Sequence, residues 1–357
     1  MTSIAEVSGS TEPILLGMGN PLLDISAEVP TEVFEKYGLK PGDAALAEEK
    51  HQPLYNELVD NYDVEYIAGG ATQNSMRVAQ WILSAQNLAG RTAFIGCVGK
   101  DEFGTNLTKA ASGAGVRVQY LEGEKQTGTC AVLIKDSERS LCANLSAAND
   151  YKIEHLLQPE QTKVVEAAKF YYIAGFFLTV SPDSMIHVGK HAAEQNKTFL
   201  MNLSAPFLCD FFHDQMMSVM PYVDYLFANE TECAAFAKKM GWDDVSAEEC
   251  ALRASNLPKA SSARKRIVVF TQGADATIVA SDGKVTTFAV EKLESSKIID
   301  TNGAGDAFVG GFLSQLVQGK PIEGCVAAGH YAAREIIQRS GCTYPDTVDV
   351  ARLSPSA

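Results

Sequence analysis

The feature that most restricts the fold is a series of short apolar runs at residues 93–98, 171–174, 198–203, 225–228 and 267–271 of a 357-residue chain. Each has the length of a strand and lacks the polar–apolar alternation of a half-exposed one, so both faces should be covered. The intervening segments are long enough for crossover helices. Together they predict an α/β, doubly wound, mostly parallel sheet with helices on both sides. Residues 14–18 form another apolar run, and 170–180, too short to cross a bilayer, reads as a buried strand. Ligands of such sheets bind beyond the carboxyl ends of the strands. Asn20, Gly70, Asn229, Thr271 and Asn302 each lie just past an apolar run and should converge there.

Residues 298–312 pass from Ile298-Ile299 through Asp300-Thr301-Asn302-Gly303-Ala304-Gly305-Asp306 into a helical pattern. Phe308, Phe312, Leu313 and Leu316 recur at helical spacing and predict a buried stripe. With Gly303 and Gly305 lacking side chains, consecutive N–H groups can close on an anion at a helix N-terminus. Asp306 falls in the first turn, where it serves either as an ordinary helix-stabilising acid or as a proton acceptor. In the second reading the N–H groups of Gly303, Ala304 and Gly305 hold phosphoryl oxygens while Asp306 takes a proton from an attacking hydroxyl. The helix dipole should favour its charged form and leave it a weak base.

Gly17-Met18-Gly19 invites a dinucleotide reading, but Leu22 stands where a third glycine belongs and Asn20-Pro21 opens no helix. Asn20 and Asp24 are better candidates: a carboxylate beyond a strand end can accept both hydrogen bonds of a vicinal diol. A turn-forming Asn-Pro and a capping Asp would use the same letters. Gly69-Gly70, before a helix carrying Asn74, allows a backbone to approach a ligand closely, or forms a plain turn. Asn229 and Glu232 have the spacing of a helix capping box. His187 and His191 share a helical face without the partners of a zinc site and read as surface residues, and no Walker loop is present.

Residues 31–67 are more polar, with strand-like pieces at 43–47 and 64–67 around a helical segment at 51–61. A second alternating stretch covers 118–144, with a polar turn at 135–139 of the kind a hairpin requires. These two segments predict one discontinuous β-rich lid (25–67 and 118–145). It would cover a large α/β domain made of 1–24, 68–117 and 146–357 and exclude water from the site.

A net charge of −14 disfavours nucleic acid and anionic membranes as partners. Eight cysteines without a Cys-x-x-Cys pair suggest reduced thiols, and the polar first thirteen residues resemble no secretory signal. A cytoplasmic monomer is expected, with a frayed tail at residues 353–357.

The Asp300–Asp306 motif and the Gly69-Gly70 segment, in this order, resemble the ribokinase-like family of carbohydrate kinases, and the likeness runs to about Tyr344. Within that family the chain is similar to the members that phosphorylate adenosine. The resemblance implies a three-layer α/β/α domain with a lid, ATP and Mg²⁺ as cofactors, adenosine as acceptor, AMP and ADP as products, and a place in purine salvage. It implies ribose contacts at Asp24, Gly70 and Asn74, with Ala71 standing where many members have Ser. A base slot is implied at Leu22, Leu46, Cys130, Leu141, Leu145, Phe176 and Phe207, with Phe176 rather than Phe177 facing the ligand. Asn229 and Glu232 would organise Mg²⁺ through water, Thr271-Gln272-Gly273 and His330 would contact the nucleotide, and Arg139 at the lid tip would swing over the phosphates. Alternatives are a related sugar or nucleoside kinase, or a non-catalytic nucleoside-binding protein.

Overall fold

Successive residues of a strand point to opposite faces, and the apolar runs satisfy that geometry by burying both. The computed structural model describes residues 12–42, 44–135 and 138–354. In chain order the strands are β1 (Leu15–Met18), β2 (Leu22–Glu28), β3 (Ala44–Leu46), β4 (Glu65–Gly69), β5 (Thr92–Gly99), β6 (Arg117–Gly123) and β7 (Thr129–Lys135). They continue as β8 (Glu138–Asn144), β9 (Phe170–Ala174), β10 (Thr198–Asn202), β11 (Tyr225–Asn229), β12 (Ile267–Gln272), β13 (Asp275–Ser281) and β14 (Lys284–Phe288).

Nine strands form one sheet in the order β14-β13-β12-β11-β10-β9-β1-β5-β6. All neighbours pair in parallel except the β12–β13 and β13–β14 hairpins at one edge. Tyr171, Ile173, Phe199 and Met201 face one buried layer, while Tyr172, Leu200 and Phe227 face the other. That second layer contains the helix Ala304–Leu316, whose Phe312 ring meets Phe227 edge-on at 5.2 Å between centroids. Phe308, Phe312 and Leu313 are buried, as their spacing predicts.

The remaining strands form a five-stranded sheet ordered β3-β8-β7-β2-β4, with its own core around Ile25, Phe34, Leu54, Leu58 and Leu133. This is the expected lid, and the helix Gln52–Asn61 covers it. Its boundaries differ from those expected. Residues 118–123, assigned to the lid from their alternation, pair with β5 as the edge of the large sheet. An edge strand is covered less completely than a central one, so it carries the same alternating pattern as a lid strand. Conversely, Leu22–Leu23 and Ala68–Gly69, assigned to the large domain, pair with each other in the small sheet, and Asp24 pairs there with Ile67.

Other expectations are corrected as well. The run at 170–180 is a strand only to Ala174 and then tightens into a 3₁₀ turn, Gly175–Thr179. Ile298-Ile299 enters no sheet; the N–H groups of Ile299 and Asp300 instead donate to the Ile337 carbonyl beyond the helix Ile322–Ile336. Leu353 is not frayed but 3% exposed, in the cluster that holds Trp81 and Tyr331. Residues 1–11, Asp43, Asp136, Ser137 and 355–357, on which parts of the leader, lid-strand, hairpin-turn and tail readings fall, lie outside the described residues. All eight cysteines are buried and free. No helix among the described residues is long and apolar enough to cross a membrane.

Candidate active site

Beyond the carboxyl ends of β1, β9, β10 and β11 the two sheets flank an open cleft of about 280 Å³. At its large-domain wall, Gly303 precedes the helix Ala304–Leu316 with φ at 74°, a left-handed conformation that other residues adopt at a cost. That conformation turns the chain into the helix and leaves its first N–H groups without intrahelical partners. Asn302, Gly303, Gly305 and Asp306 all line the cleft, and a β-carbon on Gly305 would meet nothing within 4 Å. Ala304 is in the same turn but does not reach the lining.

Asp306 accepts a hydrogen bond from Asn74 Nδ2 at 3.0 Å, and Ser75 Oγ donates to the Asp306 carbonyl at 3.0 Å. Asn74 therefore orients the carboxylate from behind the cleft wall. Burial pushes the Asp306 carboxyl up to about 7, with the Asn74 hydrogen bond opposing the rise. The expectation of a base held low by the helix dipole is thus corrected. Desolvation raises a carboxyl by more than a partial charge at the helix end lowers it.

Asp24, on β2, is buried on the opposite wall, and its carboxyl is also raised to about 7. Burial is the main cause; Arg139 opposes it and Asp306 adds to it. A β-carbon on Gly69 would collide with this carboxylate, so Gly69 shapes the Asp24 seat without lining the cleft itself. Gly70, φ 96°, lines the cleft where a β-carbon would strike the Asn20 carbonyl. Asn20 Nδ2 donates to the Phe176 carbonyl at 3.4 Å, and its buried Oδ1 is left without a partner.

The apolar end is made by Leu22, Leu46, Cys130, Leu141 and Leu145 from the lid side and by Phe176 and Phe207 from the large domain. The two rings sit 6.2 Å apart between centroids. Phe177 also reaches this wall, because the segment is a 3₁₀ turn rather than the extended chain that would have pointed it away.

Asn229 and Glu232 form the predicted capping box: Asn229 Oδ1 accepts from the Glu232 N–H at 2.9 Å, and Glu232 Oε2 from the Asn229 N–H at 3.0 Å. Both also line the cleft, and burial raises the Glu232 carboxyl to about 7. The capping box occupies Oε2, and the Ser204 backbone also hydrogen-bonds the carboxyl, both opposing the rise.

Besides Ala304, Gly69 and Asn74, which stand behind the lining, four more expected site residues do not line this cleft. Thr271 and Gly273 lie at the β12–β13 turn and His330 bonds Thr277 at 2.8 Å, all outside the lining. Burial pulls the His330 imidazole down to about 4. Arg139 is not exposed at a lid tip: its side chain is 3% accessible and pairs with Asp300. A buried carboxylate requires such a counter-charge, and the sequence gives no hint of a pair 161 positions apart. Asn202 and Ser204, absent from the expected set, also line the cleft. Ser204 has a left-handed φ of 71° and accepts from the Gly175 N–H at 2.8 Å. A polar residue just past an apolar strand was the available signal, the same one that marked Asn20 and Asn229.

The model of the pfkB family carbohydrate kinases matches residues 32–348. Adenosine kinase 1 of Arabidopsis thaliana is 57% identical over 343 residues, covering 96% of this chain and 99% of its own. The adenosine kinase of Dictyostelium discoideum is 48% identical over 93% of this chain and 96% of its own. Among solved structures, Anopheles gambiae adenosine kinase in complex with P1,P4-di(adenosine-5) tetraphosphate is similar with a TM-score of 0.90 and 48% identity, covering 94% of this chain and 99% of that one. Schistosoma mansoni adenosine kinase in complex with adenosine and AMP gives 0.87 and 36%, over 94% and 98%. With the sheet order, the anion turn and a match over nearly the whole length in agreement, the chain belongs to the pfkB family of carbohydrate kinases.

Proposed function

We propose that the protein transfers the γ-phosphoryl group of ATP to the 5′-hydroxyl of adenosine, giving AMP and ADP and returning a nucleoside to the nucleotide pool. One observation carries this reading: Asp306 and the glycines of its turn line the same cleft as a buried carboxylate, Asp24, and an aromatic slot. Adenosine fits with its ribose diol on Asp24, its chain-facing edge against Gly70, and its base between Phe176, Phe207 and the leucines of the lid. That pose directs the 5′-hydroxyl at Asp306. Asn74 holds the carboxylate in register, Asp306 accepts the hydroxyl proton as the O–P bond forms, and the bond to ADP breaks on the far side.

The N–H groups of Gly303 and Gly305, the turn residues that line the cleft, stabilise charge on the equatorial oxygens of the group in flight. Asn229 and Glu232 would hold Mg²⁺ through its waters, consistent with a cation that keeps much of its hydration. When bound, the ion neutralises charge building between the β- and γ-phosphates. Placing the nucleotide along the sheet edge toward Thr271, Gly273 and His330 extends the reading beyond the cleft. The protein would act in the cytoplasm as a monomer.

A coupled ADP-release assay with Mg²⁺ and ATP over adenosine, other nucleosides, free ribose and fructose 6-phosphate tests the proposal. Adenosine should be the best acceptor by kcat/KM. Turnover of ribose without turnover of adenosine would assign the site to a sugar kinase, and adenosine binding without turnover would make it a nucleoside-binding protein.

A further inference from the structure

Arg139 is the residue whose position departs most from the sequence expectation, and its surroundings suggest a different task. It stands on β8 of the small sheet, yet its partners belong to both the lid and the large domain. Its Nε pairs with Asp300, the side chains being 3% and 1% exposed. Nη1 donates to Ser26 Oγ on β2 at 3.1 Å, and Nη2 to Ser340 Oγ of the C-terminal segment at 3.2 Å. The Ser340 hydroxyl in turn donates to Glu65 on β4 at 2.6 Å. Two strands of the lid, β8 and β4, thus grip two residues of the large domain, while β2 braces the arginine.

Asp300 is the first residue of the anion turn. Its Oδ1 accepts the Asn302 N–H at 2.8 Å, and its Oδ2 accepts the Gly341 N–H at 2.5 Å. The 341–342 segment supports the turn from beneath, since a β-carbon on Gly303 would rest against Cys342. The Asp300 carboxylate is therefore the common anchor of the turn, of the strap below it and of the lid arginine. Removing Arg139 would leave it buried without a counter-charge, a state that the local backbone would relax to escape.

We propose that Asp300 and Arg139 are positioning residues forming one clasp, through which attachment of the lid sets the geometry of the phosphoryl-binding turn. This rests on the phosphoryl-transfer reading above. Arg139 acts through Asp300 and not by contact with phosphate. A turn held taut only while the lid is fastened confines transfer to the water-excluded state.

The test has one readout that needs no turnover. Amide hydrogen exchange over residues 300–306, followed by mass spectrometry on the full chain without ligand, should quicken at least about tenfold in Arg139→Gln and in Asp300→Asn. In the ADP-release assay each variant should lose about 30-fold or more in kcat while the adenosine Kd by calorimetry stays within about threefold. The double variant should be no worse than about threefold below the poorer single, as residues acting as a unit require. Losses in kcat that multiply in the double variant, or that occur with unchanged exchange, would overturn the clasp and return Arg139 to direct phosphate contact. Quickened exchange with unchanged kcat would overturn its catalytic role.

Should either charge-removing variant fail to fold, Ser340→Ala and Glu65→Gln loosen the same grip without stranding a charge. They should show a rise in exchange and a kcat loss of about 3–10-fold, and no change in both quantities refutes the proposal. A wild-type protein without turnover would refute the kinase reading alone, and the exchange data would still decide whether the clasp exists.

Discussion

Asp306 sits where two electrostatic effects oppose each other. The start of a helix favours a negative charge, whereas removal from water disfavours it, and burial decides the outcome at about 7. A base of that strength is half ionised near neutrality, so kcat/KM should fall as pH drops below about 7. The same shift bears on stability. The folded-state value lies above the 3.8 of the free side chain, so the native protein binds this proton more tightly than the unfolded chain. Stability is then lost as pH rises from the unfolded value through about 7, and the full cost is present above it. Asp306→Asn should accordingly raise Tm at about pH 8 by more than at about pH 4. Equal shifts at both pH values, read by calorimetry, would contradict the raised carboxyl. The acid residue, its glycines and its helix were all visible in the sequence. Its basicity was not, because desolvation depends on which distant segments cover the site.

At the scale of elements, the anion turn depends on one backbone angle. Gly303→Ala places a β-carbon at φ 74° and against Cys342, at a cost of about 1–2 kcal/mol. A lowered Tm should accompany a kcat loss larger than the stability change implies, since the N–H groups move with the turn. A kcat within about threefold of wild type would show that the donors tolerate displacement. The parallel strands were legible because burial on two faces removes every polar position, leaving runs such as Phe199–Met201 apolar at each residue. β6 was misassigned because an edge strand is only partly covered, as a lid strand is: Arg117 and Glu122 are exposed and the residues between them half-buried. The Asn229–Glu232 capping box was readable from spacing alone, being local. The Arg139–Asp300 pair was not, since no local pattern announces an ion pair between a lid strand and a distant turn of the large domain.

For the whole molecule, the cleft exists because a discontinuous lid returns over the carboxyl ends of the large sheet. Leu22, Leu46, Cys130, Leu141 and Leu145 reach it from that lid, and Phe176, Phe207 and Asp306 from the domain below. Binding that bridges two bodies should stabilise them together. At adenosine concentrations near 100 times its Kd the native state should gain about 2.7 kcal/mol, visible as a higher Tm that free ribose does not reproduce at the same concentration. A Tm unmoved by adenosine would mean that the cleft does not hold it. The bipartite plan was legible as two polar, alternating segments interrupting an α/β pattern, while the identity of the base slot came from family resemblance, because leucines and phenylalanines there look like any others in a core.

The most direct test of the central claim, that Asp306 receives the proton of the attacking hydroxyl at a turn built for the phosphoryl group, is the Asp306→Asn variant. Its kcat would be measured in the ADP-release assay and its adenosine affinity by calorimetry on the same preparation. The arrangement of Asn74, Asp306 and the turn predicts a kcat about 10²–10⁴-fold lower with a Kd within a few-fold of wild type. Wild-type turnover in that variant would contradict it.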